Sequence, residues 1–255
     1  MQISNKAKLR QAMLDLCSIA DGFDKSWSFS AKGKEERFLL YFDSPKRAQE
    51  LENIAISYGF QADWLIEWRA AVNDADALGI SSTASLDSLR LYTQFWDAQV
   101  RRINQNILSP FPIYFGWKKL SDLSIRLDKY VSMPMAPAER YLPKIQKLSD
   151  DLGFSKERMH ELARCLTPEQ IIYTETESNL RTSWLATVRK ANVPDILIEN
   201  WLRSGKNTKD IQEVVNHASE FPLLHLAAGH DSNKGHFNSI YFEASEQTVA
   251  AMISN

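Results

Sequence analysis

Between Arg37 and Asp43 the chain alternates: Phe38, Leu40 and Phe42 share one face of an extended strand, while Arg37, Leu39, Tyr41 and Asp43 share the other. The pattern recurs at Ser88–Trp96, where Leu89, Leu91, Thr93 and Phe95 oppose Ser88, Arg90, Tyr92 and Gln94. It recurs again at Leu123–Val131, where Leu123, Ile125 and Leu127 oppose Ser124, Arg126, Asp128 and Tyr130. Each strand thus has an apolar face and a face mixing cations, tyrosines and hydroxyls. Five of the chain's eight tyrosines sit in a short strand-like phrase, in Leu40-Tyr41-Phe42, Leu91-Tyr92-Thr93, Ile113-Tyr114-Phe115, Ile172-Tyr173-Thr174 and Ile240-Tyr241-Phe242. Repetition of this kind predicts a stacked or closed repeat architecture.

Helical spacing fills the intervals. Leu9, Met13, Leu16 and Ile19 lie on one face of a helix over residues 4–20. Ser44-Pro45 opens a second helix predicted to run to about Val72, with Leu51, Ile54, Trp64, Leu65 and Trp68 as its apolar face. Further stretches to Asn106, from Ala138 to Cys165, from Val193 to Ala218 and up to Ser254 complete the helices. Between them the strands pair as hairpins: 26–32 with 37–42, 77–80 with 89–96, 111–118 with 123–131, 171–177 with 182–190, and 223–230 with 238–242. Ten strands in five hairpins, separated by helices, predict an α+β fold: a closed antiparallel ten-stranded barrel ringed by helices, built from repeated αββα units. Closure removes exposed strand edges, and ten strands leave room inside for a ligand. No Gly-, Ser- or Pro-rich linker divides the chain, so residues 1–255 read as one domain.

The strand pattern alone allows two arrangements. An ordinary half-buried sheet would turn its mixed face to solvent. In the barrel the apolar face packs under the helices, and the mixed face lines the lumen. Tryptophan-bearing helices need an apolar sheet face to cover, and three strands carry tyrosine in register, which favours the lumen.

Hydrophobic residues make up 44% of the chain and charged residues 24%, ordinary values for a globular protein. A net charge of −2 argues against a general nucleic-acid partner. The first twenty residues, interrupted by Lys6, Lys8, Arg10 and Asp15, do not read as a signal peptide, and no apolar run spans a bilayer. The expectation is a cytoplasmic protein with no membrane partner. Cys17 and Cys165, both in helix-like stretches, are expected as reduced thiols, and no metal-ligand spacing is present.

The mixed faces carry a basic residue two before tyrosine, as in Arg90-x-Tyr92 and the longer Arg126-x-Asp128-x-Tyr130. With the five helix–hairpin units, this resembles the ABBA prenyltransferases, whose barrel of ten antiparallel strands is ringed by helices. The likeness covers nearly the whole chain. It implies that basic residues hold the diphosphate of an allylic donor while tyrosines shield the allylic cation. Arg37 with Tyr41, Arg90 with Tyr92 and Arg126 with Tyr130 match this pattern, and with Lys118 and Arg189 they are the candidate diphosphate ligands. The candidate shields are Tyr41, Tyr92, Tyr130, Tyr173 and Tyr241, and Glu175, or Glu177 on the same strand face, is the candidate base for the acceptor's proton. Two departures stand out: Asp128 sits where a second cation would be wanted, and Ser239 stands where Tyr241 would have its basic neighbour. The chain is also shorter than most members.

The chemistry suits these residue types. The guanidinium fork donates to phosphate oxygens in pairs, and fixed cations in a dry lumen stabilise charge as it develops on a leaving diphosphate. Tyrosine faces attract a carbocation by ~0.5–2 kcal/mol each. Asp150-Asp151 lacks the third carboxylate of the helical isoprenoid enzymes' magnesium motif, which leaves magnesium open and no cofactor required. The donor implied is dimethylallyl or geranyl diphosphate, and the acceptor an aromatic or indole compound or a peptide side chain. No Gly-x-Ser-x-Gly or phosphate-cradling glycine loop is present. The alternative is a non-catalytic barrel that binds an apolar small molecule or peptide.

Overall fold

A computed structural model describes residues 2–119, 125–134, 166–176, 181–188 and 208–254. The strands are β1 (Gly22–Ser30), β2 (Gly33–Phe42), β3 (Ala77–Thr83), β4 (Leu89–Gln94), β5 (Phe111–Lys119), β6 (Ile125–Pro134), β7 (Leu166–Thr176), β8 (Arg181–Val188), β9 (Leu223–Asp231) and β10 (Gly235–Glu243). The helices among the described residues are α1 (Gln2–Cys17), α2 (Ala48–Tyr58), α3 (Ala62–Val72), α4 (Trp96–Asn104), α5 (Thr208–Glu220) and α6 (Glu246–Ser254). Every strand pairs antiparallel with its neighbours in sequence, and β1 pairs with both β2 and β10, which closes the ring.

Hydrophobic burial fixes which face points out. Phe38, Leu40 and Phe42 of β2, Leu78 and Ile80 of β3 and Leu89 and Leu91 of β4 are buried in one core. Leu9, Met13 and Leu16 of α1, Leu51 and Ile54 of α2, Leu65 and Trp68 of α3 and Val249 and Ile253 of α6 complete that core. The alternate residues of the same strands therefore face the lumen.

The single helix predicted over 45–72 is two, α2 and α3. Gly59 ends α2 at φ 93°, a left-handed conformation that glycine adopts without a Cβ penalty, and its N–H bonds the Ala55 and Ile56 carbonyls. Strand β4 ends at Gln94, and Trp96 begins α4 instead of extending the strand. Strand β1 starts at Gly22, four residues before the predicted Ser26, which adds Asp24 to the barrel wall. The predicted helix from Ala138 to Cys165 lies outside the described residues, as does the start of the one from Val193. Cys17 is a free, buried thiol, which burial and then Glu246 push up to about 11. No described helix is long and apolar enough to cross a membrane.

Candidate active site

The lumen has two ends. The end at the starts of β1 and β10's far terminus is lined by Asp24, Leu39, Tyr41, Tyr92, Gln94, Trp96, Tyr114, Tyr130, His225, Tyr241 and Glu243 around a cavity of about 360 Å³. That is the size of a small-molecule site. Toward the hairpin turns a smaller chamber of about 20 Å³ is lined by Ser28, Arg37, Lys118, Arg181, Asp231, Lys234 and Phe237.

Aromatic rings form the wall of the larger cavity. Tyr130 packs edge-on against Tyr114 at 5.8 Å between ring centres and tilted against Tyr92 at 6.1 Å, while Trp96 meets Tyr114 at 5.7 Å. Gly116, opposite both Tyr92 and Asp128 in the register, makes this packing feasible. A Cβ there would stand 3.0 Å from Arg90 Cδ and 3.1 Å from Tyr92 Cε1. Below the rings lies an ionic network. Arg90 donates to the Tyr130 hydroxyl at 2.6 Å and the Tyr92 hydroxyl at 3.1 Å, and pairs with Asp128 at 2.7 Å. Arg126 contacts Asp128 at 2.8 Å and Asp231 at 2.9 Å, and Arg181 approaches Asp128 at 3.5 Å. Asp128 is 0% exposed. Burial alone would raise its carboxyl, but Arg90, Arg181 and Arg126 together hold it below the usual carboxylate range.

Arg37 answers the departure at Ser239. It crosses from β2 over the small residues of β1, donates to Ser239 Oγ at 3.1 Å, and places its guanidinium 5.6 Å from the Tyr241 ring. Ser239 in turn donates to Ser28 at 2.9 Å. Lys234, from the turn before β10, holds Glu35 at 2.7 Å. Against Arg37, Arg90, Lys118, Arg126, Arg181 and Lys234 stand Glu35, Asp128 and Asp231, a surplus of three cations among these described residues.

The structure therefore brings Arg37, Arg90, Lys118 and Arg126 together with Tyr41, Tyr92, Tyr130 and Tyr241 in one lumen. Arg189 lies outside the described residues. Glu175 and Tyr173 are placed by the backbone register of β7. In the register Glu175 pairs with Lys129 and Thr182, and Tyr173 with Val131 and Trp184, whereas the lumen rows of Asp128 and Tyr130 pair with Thr176 and Thr174. Both residues thus hold register positions that alternate with those of Thr174 and Thr176.

Among the described residues the carboxyls lining the cavity are Asp24 and Glu243, directly opposite one another across β1 and β10. Burial, and secondarily the negative charge of Glu243, push Asp24 up to about 7. A carboxyl poised there holds or accepts a proton near neutral pH. Burial pulls His225 down to about 4, so it is a neutral imidazole. Arg181, Asp231, Lys234, Tyr114, Trp96 and Asp24 were all missed as site residues from the sequence. The first three flank turns and Asp24 precedes the alternating run, but Tyr114 stood in one of the recurring tyrosine phrases. Among the described residues no group of three or more His, Cys, Asp or Glu could hold a metal ion.

The sequence matches no protein-family model and no curated protein. Its fold does match solved structures. A 5-dimethylallyltryptophan synthase from Streptomyces coelicolor superposes with a TM-score of 0.62 at 11% identity, covering 89% of this chain and 82% of that one. A 6-dimethylallyltryptophan synthase from Micromonospora olivasterospora, in complex with DMASPP and Trp, gives 0.59 at 12% identity, covering 88% and 83%. The prenyltransferase PriB, as a binary complex with product diphosphate, gives 0.59 at 13% identity, covering 88% and 81%. The chain has the fold of the ABBA-type prenyltransferases.

Proposed function

We propose that this chain is a prenyltransferase that moves a dimethylallyl group from its diphosphate to an aromatic acceptor such as an indole. The observation that carries the reading is one lumen joining a cation-lined chamber to an aromatic cavity. Tyr92 and Arg90 sit two residues apart on β4, about 7 Å along a strand. That spacing suits a prenyl diphosphate whose charged end lies among Arg37, Arg90, Lys118 and Arg181 while its allylic end lies under Tyr92, Tyr114 and Tyr130.

The chamber of about 20 Å³ has space for one water-sized group. The long side chains of Arg37, Lys118 and Lys234 therefore swing aside as the donor enters. As the carbon–oxygen bond breaks, negative charge grows on the diphosphate beside these cations, and such stabilisation is usually the largest single catalytic term. The tyrosine faces stabilise the allylic cation and keep water off it. The acceptor's π electrons then attack, and Asp24 takes the ring proton that re-forms the aromatic system.

Two structural neighbours, the 6-dimethylallyltryptophan synthase and PriB, were solved with a dimethylallyl donor analogue or diphosphate, in keeping with this donor. A cavity of about 360 Å³ must hold prenyl group and acceptor together, which favours dimethylallyl over geranyl and a small aromatic over a bulky peptide. The test is incubation with dimethylallyl and geranyl diphosphate, with and without magnesium. The acceptor panel holds indoles, phenols and Tyr- or Trp-containing peptides, with products read by mass spectrometry. The reading expects a gain of one dimethylallyl unit without magnesium, because the lumen cations supply the countercharge, and its loss in Arg37→Ala. No product with any acceptor, and no thermal stabilisation by either diphosphate, would leave the chain a ligand-binding barrel whose arginines are structural.

A further inference from the structure

Lys118 occupies an inward position of β5, and the register sets Arg90 of β4 on one side of it and Arg126 of β6 on the other. Glu35 and Arg37 face it from β2, Arg181 from β8, Asp231 from the end of β9 and Lys234 from the following turn. Tyr92 and Asp128 lie one inward step away on the flanking strands. The carboxylates in this set are engaged elsewhere. Asp128 pairs with Arg90, Arg126 and Arg181, Asp231 with Arg126, and Glu35 with Lys234. Lys118 has no hydrogen bond or ion pair with any described residue. An ammonium group placed between two guanidiniums, without a carboxylate of its own among the described residues, is the group in this chamber that most readily gives up its proton. Burial first, then Arg90 and Lys234, pull it well below the ordinary lysine range.

We infer that the chamber takes up one proton, on Lys118 Nζ, each time it takes up a diphosphate. The inference rests on the donor-site reading above. Above its second phosphate ionisation, at pKa ~6, a diphosphate monoester carries three negative charges. The chamber's surplus of three cations is reached only with Lys118 protonated. The proton comes from solvent as the anion arrives and returns when diphosphate leaves; no covalent bond to Lys118 forms. Donor affinity is then linked to pH through this one amine. Between the low pKa of the empty site and the raised pKa of the filled one, the dissociation constant rises about tenfold per pH unit.

The test is calorimetric titration with dimethylallyl thiolodiphosphate at pH 8, in two buffers of different ionisation heat, repeated for affinity at pH 9. The wild-type protein is expected to bind one proton per ligand, with a dissociation constant about tenfold weaker at pH 9. Lys118→Arg, permanently charged, should bind without proton uptake and with affinity independent of pH. Lys118→Met should bind more weakly, again without uptake. Two other groups here titrate low: Tyr92, which Arg90 draws down against the effect of burial, and Lys234, which burial draws down. Tyr92→Phe and Lys234→Arg should both retain the uptake. Wild-type binding with no proton taken up, or uptake that persists in both Lys118 variants, overturns the inference alone. Failure of the wild-type protein to bind the analogue at all would overturn the donor-site reading and this inference with it.

Discussion

The outer face of the barrel and its lumen are made by alternate residues of the same strands, yet opposite physics holds them. Outside, Phe38, Leu40 and Phe42 lose water against helix side chains, a non-directional gain that any apolar residue of similar volume would share. Inside, Arg90 and Arg126 stay buried, and Arg37 half-buried, only because specific hydroxyls and carboxylates meet them. The outer face tolerates conservative change and sets stability. The lumen is intolerant of change, and its unspent positive charge is what a diphosphate would use.

The largest effect should come from breaking either face at its centre. Phe42→Ala, at a fully buried position, should cost ~3–5 kcal/mol in urea denaturation. Asp128→Ala should cost a similar ~3–5 kcal/mol, because it removes the carboxylate that three buried guanidiniums share. The two are separated by pH. Asp128 titrates below its unfolded value near ~3.9. Its contribution is therefore complete above that value and is lost as pH falls through the folded one. The Phe42→Ala penalty should stay level from pH 7 to 3, while the Asp128→Ala penalty shrinks. Equal pH profiles would contradict the division between the faces.

Next in size is Asp24. Its folded pKa lies above the unfolded one, so the ionised carboxylate weakens the fold as pH rises through about 7. Asp24→Asn should stabilise the protein at pH 8 by ~1 kcal/mol or more and leave pH 4 unchanged. In the same variant kcat should fall ~100-fold or more, as for loss of a general base. Gly116→Ala, forced against Arg90 and Tyr92, should cost ~1–3 kcal/mol and weaken donor binding. Smallest of all, Lys6→Ala removes an exposed pair with Asp87 and should change stability by less than ~1 kcal/mol and activity not at all.

The same contrast explains what the sequence made legible. Alternation at Phe38-Leu39-Leu40-Tyr41-Phe42 and Leu89-Arg90-Leu91-Tyr92 was strong enough to assign both faces, and with them the inward Arg37, Arg90, Tyr41 and Tyr92. On β7 two apolar residues adjoin at Ile171-Ile172, and the pairing slips between Leu166 and Ile171. There the pattern does not fix the face. Arg181 begins a strand and Asp231 ends one beside the Ser232–Gly235 turn, so each reads as a turn residue; only the closed ring sets them across from Arg126 and Asp128. Asp128 itself was visible, but as a defect in a cationic wall. The fold makes it the hub that holds three arginines. The break at Gly59 went unseen because Ile54, Tyr58 and Leu65, at intervals of four and seven, keep one apolar helical face across it.

The most direct test of the central claim is a crystal structure of the protein with dimethylallyl thiolodiphosphate. The account predicts the diphosphate among Arg37, Lys118 and Arg181, with Lys118 Nζ within hydrogen-bond distance of a phosphate oxygen and the prenyl group against Tyr92, Tyr114 and Tyr130. An analogue bound outside the barrel, or a lumen in which the Asp128 and Asp231 pairs leave the cations closed to it, would contradict it.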